Sequence, residues 1–147
     1  MLAPPTRACR GSALLLVPAG VLIFIILAAI TVDFSHLYLA KRELHSVASA
    51  VANDAAGLGI DATAIREGAT PTEAFSVQQA REAGQASFLA QDADGTVQII
   101  LTTRDGRPAI SVTVQKQVRY IFAPGVPGGP SQHTVAVTAY AYLLSGP

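Results

Sequence analysis

The sequence predicts an α+β protein: an N-terminal transmembrane helix that continues as a long extracellular helix, then a second helix and a small antiparallel β-meander of three or four strands. Three observations carry that expectation. Residues 13–32, ALLLVPAGVLIFIILAAITV, contain no charge. The stretch VDFSHLYLAKREL at 32–44 leaves this segment with neither Pro nor Gly and keeps a helical pattern. Beyond residue 95, apolar residues alternate around an Asp-Gly pair. The expected organisation is a basic cytoplasmic leader at 1–12, a span at 13–32 and an extracellular domain at 33–147. Within that domain the helix occupies 33–58, the second helix 71–91 and the meander 96–143.

Twenty residues at about 1.5 Å rise cross roughly 30 Å of hydrocarbon, so 13–32 has the length of a membrane span. Pro18 and Gly20 would destabilise a soluble helix, but a bilayer-embedded one accommodates them through neighbouring helices and local backbone adjustment. The competing reading is a secretory signal peptide, with Arg7 and Arg10 as its basic region and cleavage after Ala28-Ala29. Its apolar core would exceed the usual 7–15 residues. Basic residues tie in number across the span, Arg7 and Arg10 against Lys41 and Arg42. Arg10 lies much nearer the apolar run, and the leader carries no acid. The N-terminus is therefore expected in the cytoplasm and the bulk of the chain outside.

Past the span, Leu37, Ala40, Leu44, Val47, Val51 and Leu58 recur at spacings of three, four, three, four and seven, the seam of one helix face. Lys41, Arg42, Glu43, Asn53 and Asp54 fall between them, and Gly57 with Gly59 ends the run. The alanines at 48, 50, 52, 55 and 56 keep the outer half slim enough for close approach of another helix. The seam has two uses open to it: a docking surface for a separate subunit, or a cover for the domain's own sheet. Asp33 and Tyr38 read as a membrane-exit anchor, a carboxylate at the outer water interface and an interfacial aromatic one turn beyond it.

The second helix, PTEAFSVQQAREAGQASFLAQ, takes Pro71 and Thr72 as start signals and Phe75, Ala83, Ala86 and Leu89 as its buried side. Val97, Ile99 and Leu101 then alternate up to Asp105-Gly106, where a tight hairpin needs positive φ, and Ile110, Val112 and Val114 resume the alternation. APGVPGGP at 123–130 cannot continue a strand. Val135, Val137, Ala139 and Ala141 supply the third.

Lys plus Arg and Asp plus Glu each total 10 in 147 residues, so no general field draws the chain to nucleic acid. The lone Cys9 cannot form an intrachain disulfide and reads as a free thiol. His36, His45 and His133 lack zinc-ligand spacing, and no nucleophile elbow or phosphate-cradling loop occurs. DADG at 92–95 has its Gly at the fourth place of a calcium loop rather than the sixth, so it reads as a turn. No cofactor, small-molecule substrate or catalytic residue is expected, and the chain is not read as an enzyme.

Residues 10–59 are similar to the N-terminal segment of the TadE/TadG-like proteins of the tight-adherence (Flp) pilus system. The resemblance rests on Arg10-Gly11, the Pro-containing span, Val32-Asp33, Leu37-Tyr38, Lys41-Arg42-Glu43-Leu44 and the Ala-rich continuation around Asn53-Asp54. It implies a minor pilin-like component of a pilus assembly or secretion apparatus, anchored in the cell membrane, with the membrane and other pilus-assembly or pilin-like subunits as partners. It also implies a processing site between Gly11 and Ser12. Pilin-like members cleaved there carry Glu five residues into the mature chain, where this sequence has Leu16, so an uncleaved membrane-resident component resembling TadG is expected. The alternative is a single-pass membrane-anchored extracellular binding module unrelated to pili. Such a module usually follows its anchor with a flexible linker, and none intervenes here.

Overall fold

The computed structural model describes residues 12–70 and 73–143. Gly11, the leader arginines Arg7 and Arg10, Cys9 and the Pro71-Thr72 start signal lie outside the described residues.

The apolar segment and the charged stretch after it form one continuous helix, α1 (Ser12–Leu58), 47 residues long with Pro18 inside it; at the standard rise this is about 70 Å. Its first half and second half have opposite surroundings. From Leu16 to Val32 nearly every side chain is exposed, Phe24 at 72% and Val17 at 69%, and by length and composition the helix can cross a membrane. From Leu44 to Ala56 one stripe is buried, with Ala48, Val51 and Ala55 at 0% exposure.

That stripe is covered by a three-stranded antiparallel sheet of order β1-β2-β3, made of β1 (Thr96–Arg104), β2 (Arg107–Arg119) and β3 (Gln132–Tyr142). Asp105 and Gly106, with φ of 54° and 72°, are the two turn residues between the paired Arg104 and Arg107. This is the positive-φ geometry that a two-residue hairpin of right-handed twist requires. Ile110, Val112 and Val114 of β2 and Val135, Val137, Ala139 and Ala141 of β3 all point into the core. The opposite face is polar or half-apolar, with Thr113 and Thr138 sharing a 2.9 Å hydrogen bond. Among the described residues the meander has three strands, the lower of the two numbers expected.

The second helical region departs from the expected 71–91. A single turn, α2 (Ala62–Arg66), is capped by Asp61, which accepts from the N–H groups of Thr63 and Ala64. The longer helix, α3 (Val77–Ala90), starts later, capped by Ser76. Its buried residues are Ala80, Gly84 and Phe88, in place of the expected Ala83, Ala86 and Leu89; Leu89 is 75% exposed. Close approach decides this face. A Cβ at Gly84 would run into the Ile99 side chain and sit 3.3 and 3.4 Å from Ala55 and Val51. The alanines of α1 thus admit this chain's own α3, and a glycine on α3 completes the fit.

β2 has 13 residues, about 43 Å at 3.3 Å each, and the helix from residue 33 to 58 is about 38 Å long. The two run antiparallel. His36, Ala40 and Glu43 lie beside Lys116 to Arg119, and Val51 with Ala55 lies near Ile99, the partner of Val112. Strand and stem therefore have matching lengths, which returns the β2–β3 connection to the level where the apolar span ends.

Candidate functional site

Asp33 stands at that level. Counting back from the buried stripe, Leu44, Ala40, Leu37 and Asp33 are separated by four, three and four residues, so the carboxylate points the same way as the core. It is 7% exposed. Oδ1 accepts hydrogen bonds from the backbone N–H groups of Ile121 at 2.7 Å and Phe122 at 3.1 Å. Oδ2 accepts from Ala123 at 2.9 Å and again from Phe122 at 3.3 Å. Three consecutive donors thus converge on one carboxylate.

Local sequence explains why the donors are free to do so. After Arg119 the β2 ladder ends, and Pro124, Pro127 and Pro130 prevent the chain from resuming a strand. Phe122 instead starts a short 3₁₀ turn, Ala123–Gly125, with no cap from its own side chain. The first amides of such a turn have no partner within it. Asp33 fills the role of an N-cap from 88–90 residues away in sequence. An ionised carboxylate is acceptor-only and matches three donors, and hydrogen bonds to a charged acceptor are about twice as strong as neutral ones.

Around this clasp the surface is apolar. Ile26, Ala29 and Ile30 of α1 face Phe122, Val126 and Pro130 of the connection across an open depression with almost no polar lining. Asp33 is thus no solvated carboxylate marking the water interface, as the sequence suggested. It is a buried tether that holds the β2–β3 connection against the end of the apolar half of α1.

The other residues singled out by the sequence are placed as follows. Tyr38 is 66% exposed and borders a shallow surface with Lys41, Arg42, His45 and Ser46. Leu44, Val47 and Val51 are buried in the domain's own core, with Leu37 and Ala40 packed at its edge, while Leu58 is 68% exposed. The buried members of the seam therefore cover this chain's own sheet and present no docking surface. Ser12 is the first residue of α1. Residues 92–95 form a turn into β1, with Asp94 3.5 Å from Lys116. Among the described residues, no group of three His, Cys, Asp or Glu side chains could hold a metal ion. The residues that sequence reasoning missed are Ile121, Phe122 and Ala123. A detectable signal was present: a carboxylate in phase with an apolar stripe, and a proline-rich connection long enough to reach it.

The fold and the clasp describe a class: a small α+β head carried on, and fastened twice to, a single helix whose other half is long and apolar enough for a membrane. The family model Tad, Flp pilus-assembly TadE/G-like, matches residues 11–57, roughly a third of the chain and almost the whole of α1. The chain is TadE/TadG-like over that segment, which supports a pilus-associated role. No curated protein and no solved structure matches it.

Proposed function

We propose that this chain is a non-enzymatic, minor pilin-like component of a Flp/Tad-type pilus assembly or secretion apparatus. In this reading residues 13–32 cross the cell membrane once, the leader is cytoplasmic, and residues 33–147 form the extracellular head. The single observation that carries it is the coincidence of the family match, 11–57, with the one helix that is both the apolar segment and the stem of the head. A rigid stem suits an assembly component, because it fixes the height and orientation of the head above the bilayer. An independent binding module on a flexible tether would gain reach and lose that orientation. Leu16 in place of the pilin glutamate favours retention in the membrane over extraction into a filament, since no carboxylate is available there to meet a neighbour's amino terminus.

Deletion of the gene should remove or sharply reduce surface pili, and the full-length chain should restore them. Normal piliation and adhesion in the deletion strain would contradict the assignment. Protease added to intact wall-stripped cells should remove a C-terminal epitope; protection until lysis would reverse the orientation. Intact mass should show the leader retained. A terminus at Ser12 would show prepilin-type cleavage, and one just after Ala29 would show secretory cleavage.

A further inference from the structure

From the β2–β3 connection we infer that this protein touches the membrane twice: residues 121–130 sit in the headgroup and acyl boundary of the same leaflet through which α1 leaves the bilayer, with Ile121, Phe122 and Val126 directed into lipid. The inference rests on residues 13–32 being a membrane span.

Depth is the first argument. Phe122 and Val126 lie against Ile26, Ala29 and Ile30, which precede Asp33 by three to seven residues, about 5–10 Å toward the bilayer interior along a helix. That is the depth at which interfacial segments bury their apolar side chains. If the span occupies the bilayer, a segment packed at this height on its flank is inside the boundary as well.

Composition is the second. No charged residue occurs between Arg119 and His133, while Ile121, Phe122 and Val126 are 55%, 48% and 62% exposed. Three large apolar side chains projecting from a glycine- and proline-rich connection are poorly placed in water, and they adjoin the exposed apolar flank of the span without interruption. Tyr120 and His133, 6.4 Å apart, stand where the two strands enter this region, as amphipathic rings do at the headgroup level.

Backbone satisfaction is the third and most demanding. Irregular chain at membrane depth is tolerated only where its polar groups find partners. Of the ten residues 121–130, Pro124, Pro127 and Pro130 have no N–H. Ile121, Phe122 and Ala123 donate to Asp33. Gly125, Val126 and Gly129 donate to the carbonyls of Phe122, Ala123 and Val126. Gly128 is the one remaining donor, and at the boundary, where water and headgroups reach, one donor is readily met. The N–H groups are thus almost all paired within the protein, whereas of the carbonyls those of Phe122, Ala123 and Val126 accept a backbone hydrogen bond and the others are left to water and headgroups, which places the segment at the hydrated boundary and not in the acyl core. Asp33 thus removes three donors from an apolar region in one contact and ties the connection to the span.

The chain has no tryptophan, so a single introduced one reports its own surroundings. Full-length Phe122→Trp and Val126→Trp are reconstituted in phosphatidylcholine vesicles with and without bromine on the acyl chains. Phe24→Trp marks the span and Leu89→Trp the exposed face of α3. Both connection variants should be quenched by brominated lipid and shielded from aqueous acrylamide, as Phe24→Trp should be, while Leu89→Trp shows the reverse. If Phe24→Trp is lipid-quenched and the connection variants behave like Leu89→Trp, the second membrane contact does not exist and the anchor stands. Shielding from both quenchers would mean that protein covers the connection, which also overturns the inference. Absence of lipid quenching at Phe24→Trp would remove the membrane anchor itself.

Discussion

The two ends of the stem, Leu44–Ala56 and Asp33, lie on one face of one helix and are fastened to the same head by opposite means. The outer end is dry and apolar: Ala48, Val51, Ala52 and Ala55 are essentially inaccessible and meet β2, β3 and α3. The inner end uses a carboxylate and three amides, surrounded by apolar side chains that face outward. The difference follows from what each end can exclude. A sheet and a second helix can bury a stripe away from water, so area supplies the attachment. Around Asp33 the neighbouring side chains, Ile26, Ala29, Ile30, Phe122 and Val126, are themselves apolar and open to the surroundings, and apolar contact there distinguishes one arrangement from another only weakly. A directional bond to a charged acceptor does distinguish them, as polar groups between helices do in membranes.

Breaking the outer attachment should have the larger effect. Val51→Asp places an unpaired charge at a position with 0% exposure, and the head should lose at least about 4 kcal/mol of stability or fail to fold, read by denaturant unfolding of the full chain in nanodiscs. Gly84→Val should come next. Its Cβ meets the side chains of Ile99, Ala55 and Val51, and overpacking of this kind costs about 1–3 kcal/mol. The inner attachment should fail more quietly. Asp33→Asn leaves one carbonyl oxygen facing three amides and turns a donor group toward them, so limited proteolysis within 121–130 should accelerate while the unfolding midpoint of the head moves little. Leu58→Asp sharpens the contrast from the other side: Leu58 belongs to the periodic seam but is 68% exposed, and stability should change by no more than about 0.5 kcal/mol.

The same contrast separates what was legible in the sequence from what was not. Attachments made by area leave a period: the alternation through Ile110, Val112 and Val114 and the Asp105-Gly106 turn foretold the hairpin, while the spacing of Leu44, Val47 and Val51 marked a helix face without saying whether a separate subunit or the domain's own sheet covers it. Where small residues decide packing the period misleads. Ala80, Gly84 and Phe88 form the inner face of α3 because a glycine permits close approach, although Ala83, Ala86 and Leu89 offer an equally apolar pattern to a reader of sequence. The start of α3 also shifted, because Ser76 caps it while Asp61 caps a separate turn earlier. The clasp left only a faint trace, since its two halves lie 88–90 residues apart and its donors are backbone groups that any residue type carries. Asp33 was visible as an outlier; what it binds was not.

Hydrogen exchange of the full-length chain in nanodiscs, wild type beside Asp33→Asn, tests most directly whether one helix holds its head by two separable fastenings. The account predicts slow exchange at Ile121, Phe122 and Ala123 in the wild type and acceleration by roughly ten-fold or more in the variant, with residues 44–56 and 109–118 unchanged. Equal exchange at 121–123 in both proteins would show that the clasp does not form, and acceleration spread evenly through the stem and β2 would show that the two ends are one cooperative unit.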